Sequence, residues 1–426
     1  MTPNIEWPRN DYSRVPFRLY HDEELYALEM ERIFRGPAWN YLCLEAEVAN
    51  PGDFRTTWVG DTPVVVSRTK DGAIHAFVNR CSHRGAMIVR ELRGNTERHV
   101  CLYHRWTYSG AGELTGLPFR KGLKGEGGMP ADFDMKAESP QRLAVANFHG
   151  VLFGTIQRER AEPLEQYLGE FGTGIIRRFM AKPIRILGYS RQKIHGNWKL
   201  YAENLRDTYH ASLLHEFFVT YGVDRATQKG GVKMDGRHRH NMNHAFAATD
   251  TQEDAKAAYA DTAARLDRMQ LRDTKLLSFV NEYPDGMNLA APTFFPNGLF
   301  IQINNSIGTR QIRPKGVDAH EVFQTLFCYQ DDDEAMVRHR LLSANLVGPA
   351  GFVSMEDGEA IEVVQKATRS AGTKATRGIA GSHAIIEMGG RGPLRDLTHR
   401  VTETPIRGFW SYWAELMGAE APGGIR

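Results

Sequence analysis

CSHRGAMIVRELRGNTERHVCLYHRW, residues 81–106, contains Cys81-x-His83 and, after seventeen intervening residues, Cys101-x2-His104. Each pair is short enough to ride on one tight turn. Two such turns brought together supply the nitrogen and sulfur donors that a soft metal site needs. The remaining cysteines, Cys43 and Cys328, have no histidine placed this way and read as plain buried thiols.

Two kinds of metal site could use that donor set. Zinc takes Cys2His2 tetrahedrally, usually as two cysteines followed by two histidines. A Rieske-type [2Fe–2S] cluster takes two thiolates on one iron and two imidazoles on the other. Here each turn carries one of each, so each turn would reach both irons, and that interleaving is not the zinc-finger order. Gly85 follows the first pair, and Trp106 with Tyr108-Ser109-Gly110 follows the second. Small residues there let backbone N–H groups approach cluster sulfurs, one of the factors that set a reduction potential. Four satisfied core side chains are the plain structural reading of the same residues.

Outward from these turns, residues 38–155 hold short runs rich in Val, Ile, Phe and Tyr, such as TPVVVSR, IHAFVNR and GVLFGTI. Turn signals (DG, GN, SG, GE) separate them, which predicts a small antiparallel β domain, with GLKGEGGMPADF as a loop inside it. Upstream, HDEELYALEMERIF (21–34) spaces Leu25, Leu28, Met30, Ile33 and Phe34 as one helical face behind N-terminal acids. Downstream, helices are predicted over 162–181, 197–220, 251–270, 332–346, 354–369 and 408–417, with strand-like stretches such as KPIRILGYSRQKI and HEVFQTLFCYQ between them. Residues 370–382 read as a mobile loop. The fold class is α+β, with an N-terminal antiparallel-β domain and a larger domain whose antiparallel sheet is surrounded by helices. The expected boundaries are 1–37 for a helical segment packing on the larger domain, 38–155 for the metal-binding β domain, and 156–426 for the rest.

Composition narrows the partners. The chain has 426 residues, 42% hydrophobic and 24% charged, with a net charge of +2. That balance points to neither nucleic acid nor a membrane surface. The N-terminal residues show no signal-peptide pattern, and no uninterrupted apolar run reaches the roughly 18 residues a membrane span needs. Four cysteines in a chain of this length fit a cytoplasmic, reducing location. There is no GxGxxG after a strand and no P-loop, so NADH or flavin would act through a separate protein.

A second constellation lies in NWKLYAENLRDTYHASLLH, residues 197–215. Two imidazoles and one carboxylate on one face would suit a mononuclear Fe(II) that keeps its opposite face open. His210 and His215 are candidate imidazoles. Positions five apart differ by about 140° on an ideal helix, so the segment must bend, loosen or end near 211–214. Glu203, Asp207 and His210 are spaced by four and three, which puts them on one helical stripe. Acids in an otherwise apolar helix are costly to bury without partners, so they read either as a buried polar path or as a solvated acidic face. A third ligand would come from afar, and the best stretch is GFVSMEDG, residues 351–358. Its acids, Glu356 and Asp357, also read as helix-start acids.

Together, Cys-x-His–x17–Cys-x2-His and Glu-x3-Asp-x2-His-x4-His resemble the α subunits of Rieske non-heme iron aromatic ring-hydroxylating oxygenases. The similarity runs over nearly the whole chain, through NPGDFRTT, GPAGFVSMEDG and TETPIRGFW. It is nearest the branch acting on aromatic carboxylates of the terephthalate and salicylate type. The resemblance implies Cys81, His83, Cys101 and His104 as cluster ligands, and His210, His215 and Asp357 as iron ligands. It implies Asp207 as the acid linking the iron site to a neighbouring subunit's Rieske histidine, with Glu203 beside it. It further implies a ring of three such chains, a small β subunit, and a ferredoxin or flavin reductase as electron donor. An aromatic carboxylate would be hydroxylated with O2. Arg310 and Arg400 match positions where such enzymes set arginines against the carboxylate, for which a guanidinium fork is well shaped.

Overall fold

The computed structural model describes residues 5–249, 251–262, 271–349, 351–371 and 381–419. The chain divides into two compact units, Phe34–Tyr167 and a second assembled from Met1–Ile33 with Leu168–Arg426. Both mix sheet with irregular or helical cover, in keeping with the α+β reading.

In the first unit, seven antiparallel strands form one sheet: β1 (Asn40–Leu44), β2 (Asp53–Val59), β3 (Thr62–Arg68), β4 (Ile74–Val78), β5 (Arg93–Asn95), β9 (Arg142–Phe148) and β10 (Val151–Thr155). Three short strands, β6 (Arg98–Val100), β7 (Thr107–Ser109) and β8 (Leu114–Gly116), form a second. Val64, Val65 and Val66 in β3 are all fully buried. A continuous β-branched run suits a strand covered on both faces. The sequence 81–106 runs through both sheets, carrying β5 of the first and β6 of the second. Its first turn follows β4, and its second is the loop joining β6 to β7.

The second unit centres on a seven-stranded antiparallel sheet. In chain order its strands are β11 (Ile184–Ile194), β12 (Gly230–Met234), β13 (Asn241–Phe246), β14 (Met287–Phe294), β15 (Gly298–Ile303), β16 (Ser306–Pro314) and β17 (His320–Tyr329). Their spatial order is β11-β17-β16-β15-β14-β13-β12. One face packs Ala245, Leu289, Leu299, Ile301 and Ile303 against Phe218, Val223, Val347 and Val353.

Helices cover the sheet: α1 (Glu23–Glu29), α2 (Trp198–Asn204), α3 (Thr208–Leu214), α4 (Glu216–Tyr221), α5 (Glu334–Val347), α6 (Phe352–Thr368) and α7 (Thr404–Met417). The predicted single helix over 197–220 is three short ones. Asp207 supplies the physical reason, because its carboxylate accepts from the backbone N–H groups of Tyr209 at 2.7 Å and His210 at 3.1 Å. A short acid bonding forward to the backbone starts a helix rather than continuing one. Glu203 and Asp207 are therefore not on one continuous helical stripe, as the spacing had suggested. The second interruption falls at His215 (φ −87°, ψ 80°), one residue past the stretch in which a break was required.

Of the predicted helix over 251–270, Gln252–Ala258 is helical and 263–270 lies outside the described residues, as does most of 370–382. Among the described residues, no helix is long and apolar enough to cross a membrane.

Candidate active site and metal centres

The two Cys–His turns share one hydrogen-bond plan. Cys81 N donates to Ala86 O at 2.8 Å while Gly85 N donates to Cys81 O at 2.9 Å. Cys101 N donates to Trp106 O at 2.9 Å while Arg105 N donates to Cys101 O at 3.0 Å. The fifth residue of each turn adopts positive φ, Gly85 at 74° and Arg105 at 60°. Asn79 pins the first turn at its base, because its fully buried amide exchanges two hydrogen bonds with Val89, at 2.7 and 2.9 Å.

This geometry sorts the four ligands. Cys81 and Cys101 are buried in an apolar cluster with Phe54, Val65, Phe77 and Trp106. His83 and His104 are exposed, with ring centroids 4.3 Å apart, and His83 stacks on Trp106 at 4.7 Å. Two thiols inside and two imidazoles outside, with both turns contributing one of each, fit a [2Fe–2S] cluster bound through its inner and outer irons. The Tyr108 hydroxyl donates to Cys81 Sγ at 3.1 Å. That donor was not legible beforehand, since Tyr108 drew notice only as part of a turn.

The second set converges from three elements. His210 lies in α3, His215 between α3 and α4, and Asp357 in α6. Each offers one ligand atom, and these atoms all lie within 4.8 Å of one another. Nε2 of His210 and Nε2 of His215 each stand 3.4 Å from Asp357 Oδ1, a separation that two donors of one bound cation can have. The outer nitrogens face other acids: His215 Nδ1 meets Glu356 Oε2 at 2.7 Å, and His210 Nδ1 lies 3.4 Å from Asp207 Oδ2. The Glu356 carboxylate holds the His215 imidazole in the tautomer that leaves Nε2 free to ligate, and Asp207 places a negative charge behind His210. Adjacent residues thus divide the work, with Asp357 turned to the ligand centre and Glu356 to the back of His215. Asp357 is no helix-start acid, because α6 begins five residues earlier, with Gly351 as its N-cap.

The carboxylates around the set favour positive charge on it. Burial alone would lower His210, but the carboxylates of Asp207 and Asp357 push it up to about 10. His215 is raised against its burial by Asp357 and Glu356. Burial would raise Asp357, yet the two imidazoles hold it far below the usual carboxylate range. Such a field suits a divalent cation. Asn204, which no motif or spacing singles out, donates to Asp357 Oδ1 at 3.0 Å and lies 3.3 Å from His210 Nε2.

Glu203 sits apart from the ligand atoms. One of its oxygens accepts from the Tyr20 hydroxyl at 2.7 Å and from Trp410 Nε1 at 2.6 Å, and burial pushes its carboxyl up to about 7. Nearby, Glu29 pairs with Lys199 at 2.6 Å and accepts from Trp198 and Trp413. This is a buried polar path rather than a solvated acidic face. Glu203, Asp207 and His210 also border a groove of about 610 Å³ whose walls include Leu200, Ile361 and Val364.

The two arginines stand at different places beside the apolar cluster. Arg310, on β16, pairs across strands with Leu299 and donates to Tyr201 Oη at 3.0 Å, Val347 O at 2.7 Å and Ser354 Oγ at 3.1 Å. Arg400 lies against β12, where a Cβ on Gly230 would stand 3.1 Å from its Cδ. It is paired with the buried Asp224.

Comparison with known proteins agrees with this geometry. Residues 38–126 match the family described as "Rieske [2Fe-2S] domain", and 180–419 match "Ring hydroxylating alpha subunit (catalytic domain)". The chain is 44% identical to the terephthalate 1,2-dioxygenase terminal oxygenase α subunit 2 of Comamonas sp., covering 98% of each. It is 43% identical to the anthranilate 1,2-dioxygenase large subunit of Burkholderia cepacia, covering 97% of this chain and 96% of that one. The salicylate 5-hydroxylase large oxygenase component of Ralstonia sp. is 40% identical, with the same coverage. Among solved structures, naphthalene 1,2-dioxygenase from Rhodococcus sp. shares the fold, with a TM-score of 0.76 at 22% identity over 96% of this chain and 95% of that one.

Proposed function

This chain belongs to the ring-hydroxylating Rieske oxygenase α subunits, and from that premise we propose that it hydroxylates an aromatic carboxylate as the terminal component of a multi-protein system. In this reading Cys81, His83, Cys101 and His104 hold the [2Fe–2S] cluster, and His210, His215 and Asp357 hold the mononuclear iron. The cluster supplies single electrons, and a ferrous ion in the second set supplies activation of O2.

The protein's own residues do the rest. Glu356 keeps His215 aimed by accepting at Nδ1, and Asp207 sets its charge beside Nδ1 of His210. Apolar side chains at the border of the apolar cluster face the ring and exclude water. Phe218 ties that cluster to the ligand set, its ring 5.4 Å from that of His215. Arg310 orients the carboxylate.

The observation that carries the carboxylate reading is Arg310 itself. Its guanidinium is buried, borders the apolar cluster, and has no carboxylate partner among the described residues. A buried cation left without an anion is costly unless a ligand supplies one.

Asp207 and Glu203, which line the groove, are assigned to the link through which the cluster of a neighbouring copy delivers electrons. With it we propose, from the family resemblance, a ring of three such chains, a small β subunit and a ferredoxin or flavin reductase as donor, in the cytoplasm. The test is turnover on terephthalate, salicylate, anthranilate and benzoate with a competent reductase, product mass being read by chromatography. Hydroxylation of an acid, lost in Arg310→Ala, supports the assignment. Reductant consumption without product from any acid would sink the carboxylate reading and leave a neutral aromatic as the substrate.

A further inference from the structure

Arg310 and Arg400 border one apolar cluster with opposite charge balance. We propose that this asymmetry selects aromatic acids bearing a single carboxylate, received at the Arg310 end, with an uncharged substituent or a bare ring edge toward Arg400. The inference rests on the carboxylate reading above and narrows it.

At the Arg310 end the positive charge is uncompensated and donors are left over. Arg310 Nε is buried without an acceptor, and so is Nε2 of Gln324. These residues are cross-strand partners on β16 and β17, and Ser190, the partner of Gln324 on β11, carries a third buried unpaired group, Oγ. Directly paired residues share one face of a sheet. One carboxylate entering here balances the guanidinium and gives this row of donors an acceptor.

The Arg400 end is already neutral. Nη2 of Arg400 donates to Asp224 Oδ2 at 2.7 Å, Nη1 donates to Arg225 O at 2.7 Å, and Nη1 also pairs with Asp224 Oδ1. Both side chains are almost fully buried, at 2% and 1% exposure. Asp224 follows Val223 of the apolar cluster, and Gly230 pairs with Ala245 of the same cluster, so the ion pair stands at its edge. The backbone holds Arg400 there: Val232 N donates to Leu397 O, and a Cβ on Gly231 would come within 2.0 Å of that oxygen. A second carboxylate arriving here would meet, in a low-dielectric setting, the Asp224 anion that already pairs with Arg400. Nε of Arg400 is a buried donor without an acceptor, which suits a neutral group such as a hydroxyl.

Binding of benzoate, salicylate, 4-carbamoylbenzoate and terephthalate to the iron- and cluster-loaded protein, measured by calorimetry beside turnover of each, tests this. 4-Carbamoylbenzoate matches terephthalate in shape but carries one charge, so it separates size from charge. The monoanions should bind at least about tenfold more tightly than terephthalate, and Asp224→Asn should narrow that gap by about tenfold. Terephthalate binding as tightly as 4-carbamoylbenzoate to the wild-type protein overturns the inference, and so does an unchanged gap in folded Asp224→Asn. Should that variant not fold, the wild-type pair of isosteric acids decides alone. If no acid binds, the carboxylate reading falls and takes this one with it. A terephthalate preference removes only this one.

Discussion

The two metal-ligand sets are built by opposite means. The cluster set is local: four ligands within residues 81–104, on two turns with the same hydrogen-bond plan, pinned by Asn79 and set into one apolar cluster. The iron set is remote: a broken helical segment meets α6, and the Glu356–His215 contact joins residues 141 positions apart. Turns closed by their own backbone need little from the rest of the fold. A site assembled across the fold depends on every element that aims it. The cluster set should therefore tolerate damage to the sheet of the second unit, and the iron set should not.

The largest test of that contrast is a pair of ablations. Cys101→Ser should abolish the cluster's visible absorption and all turnover while leaving the mononuclear iron bound. Asp357→Ala should do the reverse, losing that iron and at least about a hundredfold in activity while the absorption persists. Iron content and the visible spectrum, read together, check both. Loss of both centres in either variant would break the claim that the sets are independent.

Asp207→Asn sharpens it next. Asp207 both caps α3 and faces His210, and the proposed link between centres runs through it. Turnover should fall by about ten- to a hundredfold while iron content and cluster absorption hold. Single-turnover reduction kinetics should show the electron transfer slowed.

A smaller effect is expected for Glu356→Gln, which keeps shape but removes the charge behind His215. Iron affinity should fall by about tenfold in a competitive chelator titration. An unchanged affinity would mean that Glu356 only fills space.

The smallest change falls on the local set. Tyr108→Phe deletes one donor to Cys81 Sγ, a bond of about 1 kcal/mol. The cluster's reduction potential should drop by some tens of millivolts, because a hydrogen bond to a sulfur favours the reduced form. A redox titration followed by absorbance would show it.

How much was legible in advance follows the same division. The Cys-x-His and Cys-x2-His pairs, the alternation of short β runs with turn signals, and the need for a break near His215 are short-range facts. Local sequence dictates them, because turn closure, strand pattern and helical phase involve neighbours in the chain. The choice of Asp357 over Glu356 as the acid at the ligand centre was not of that kind, nor were the places of Asn204 beside the ligands and Tyr108 beside the sulfur. Adjacent acids differ by about 100° around a helix, and which of them faces His215 depends on where α6 starts and on how it packs. Spacing likewise suggested a continuous stripe of Glu203, Asp207 and His210, until the bonds from Asp207 to the backbone ended one helix and began another. Arg310 and Arg400 look alike as letters. Only the tertiary structure gives Arg400 a buried Asp224 and leaves Arg310 without a carboxylate partner among the described residues, since a side chain's charge balance is set by what the fold brings against it.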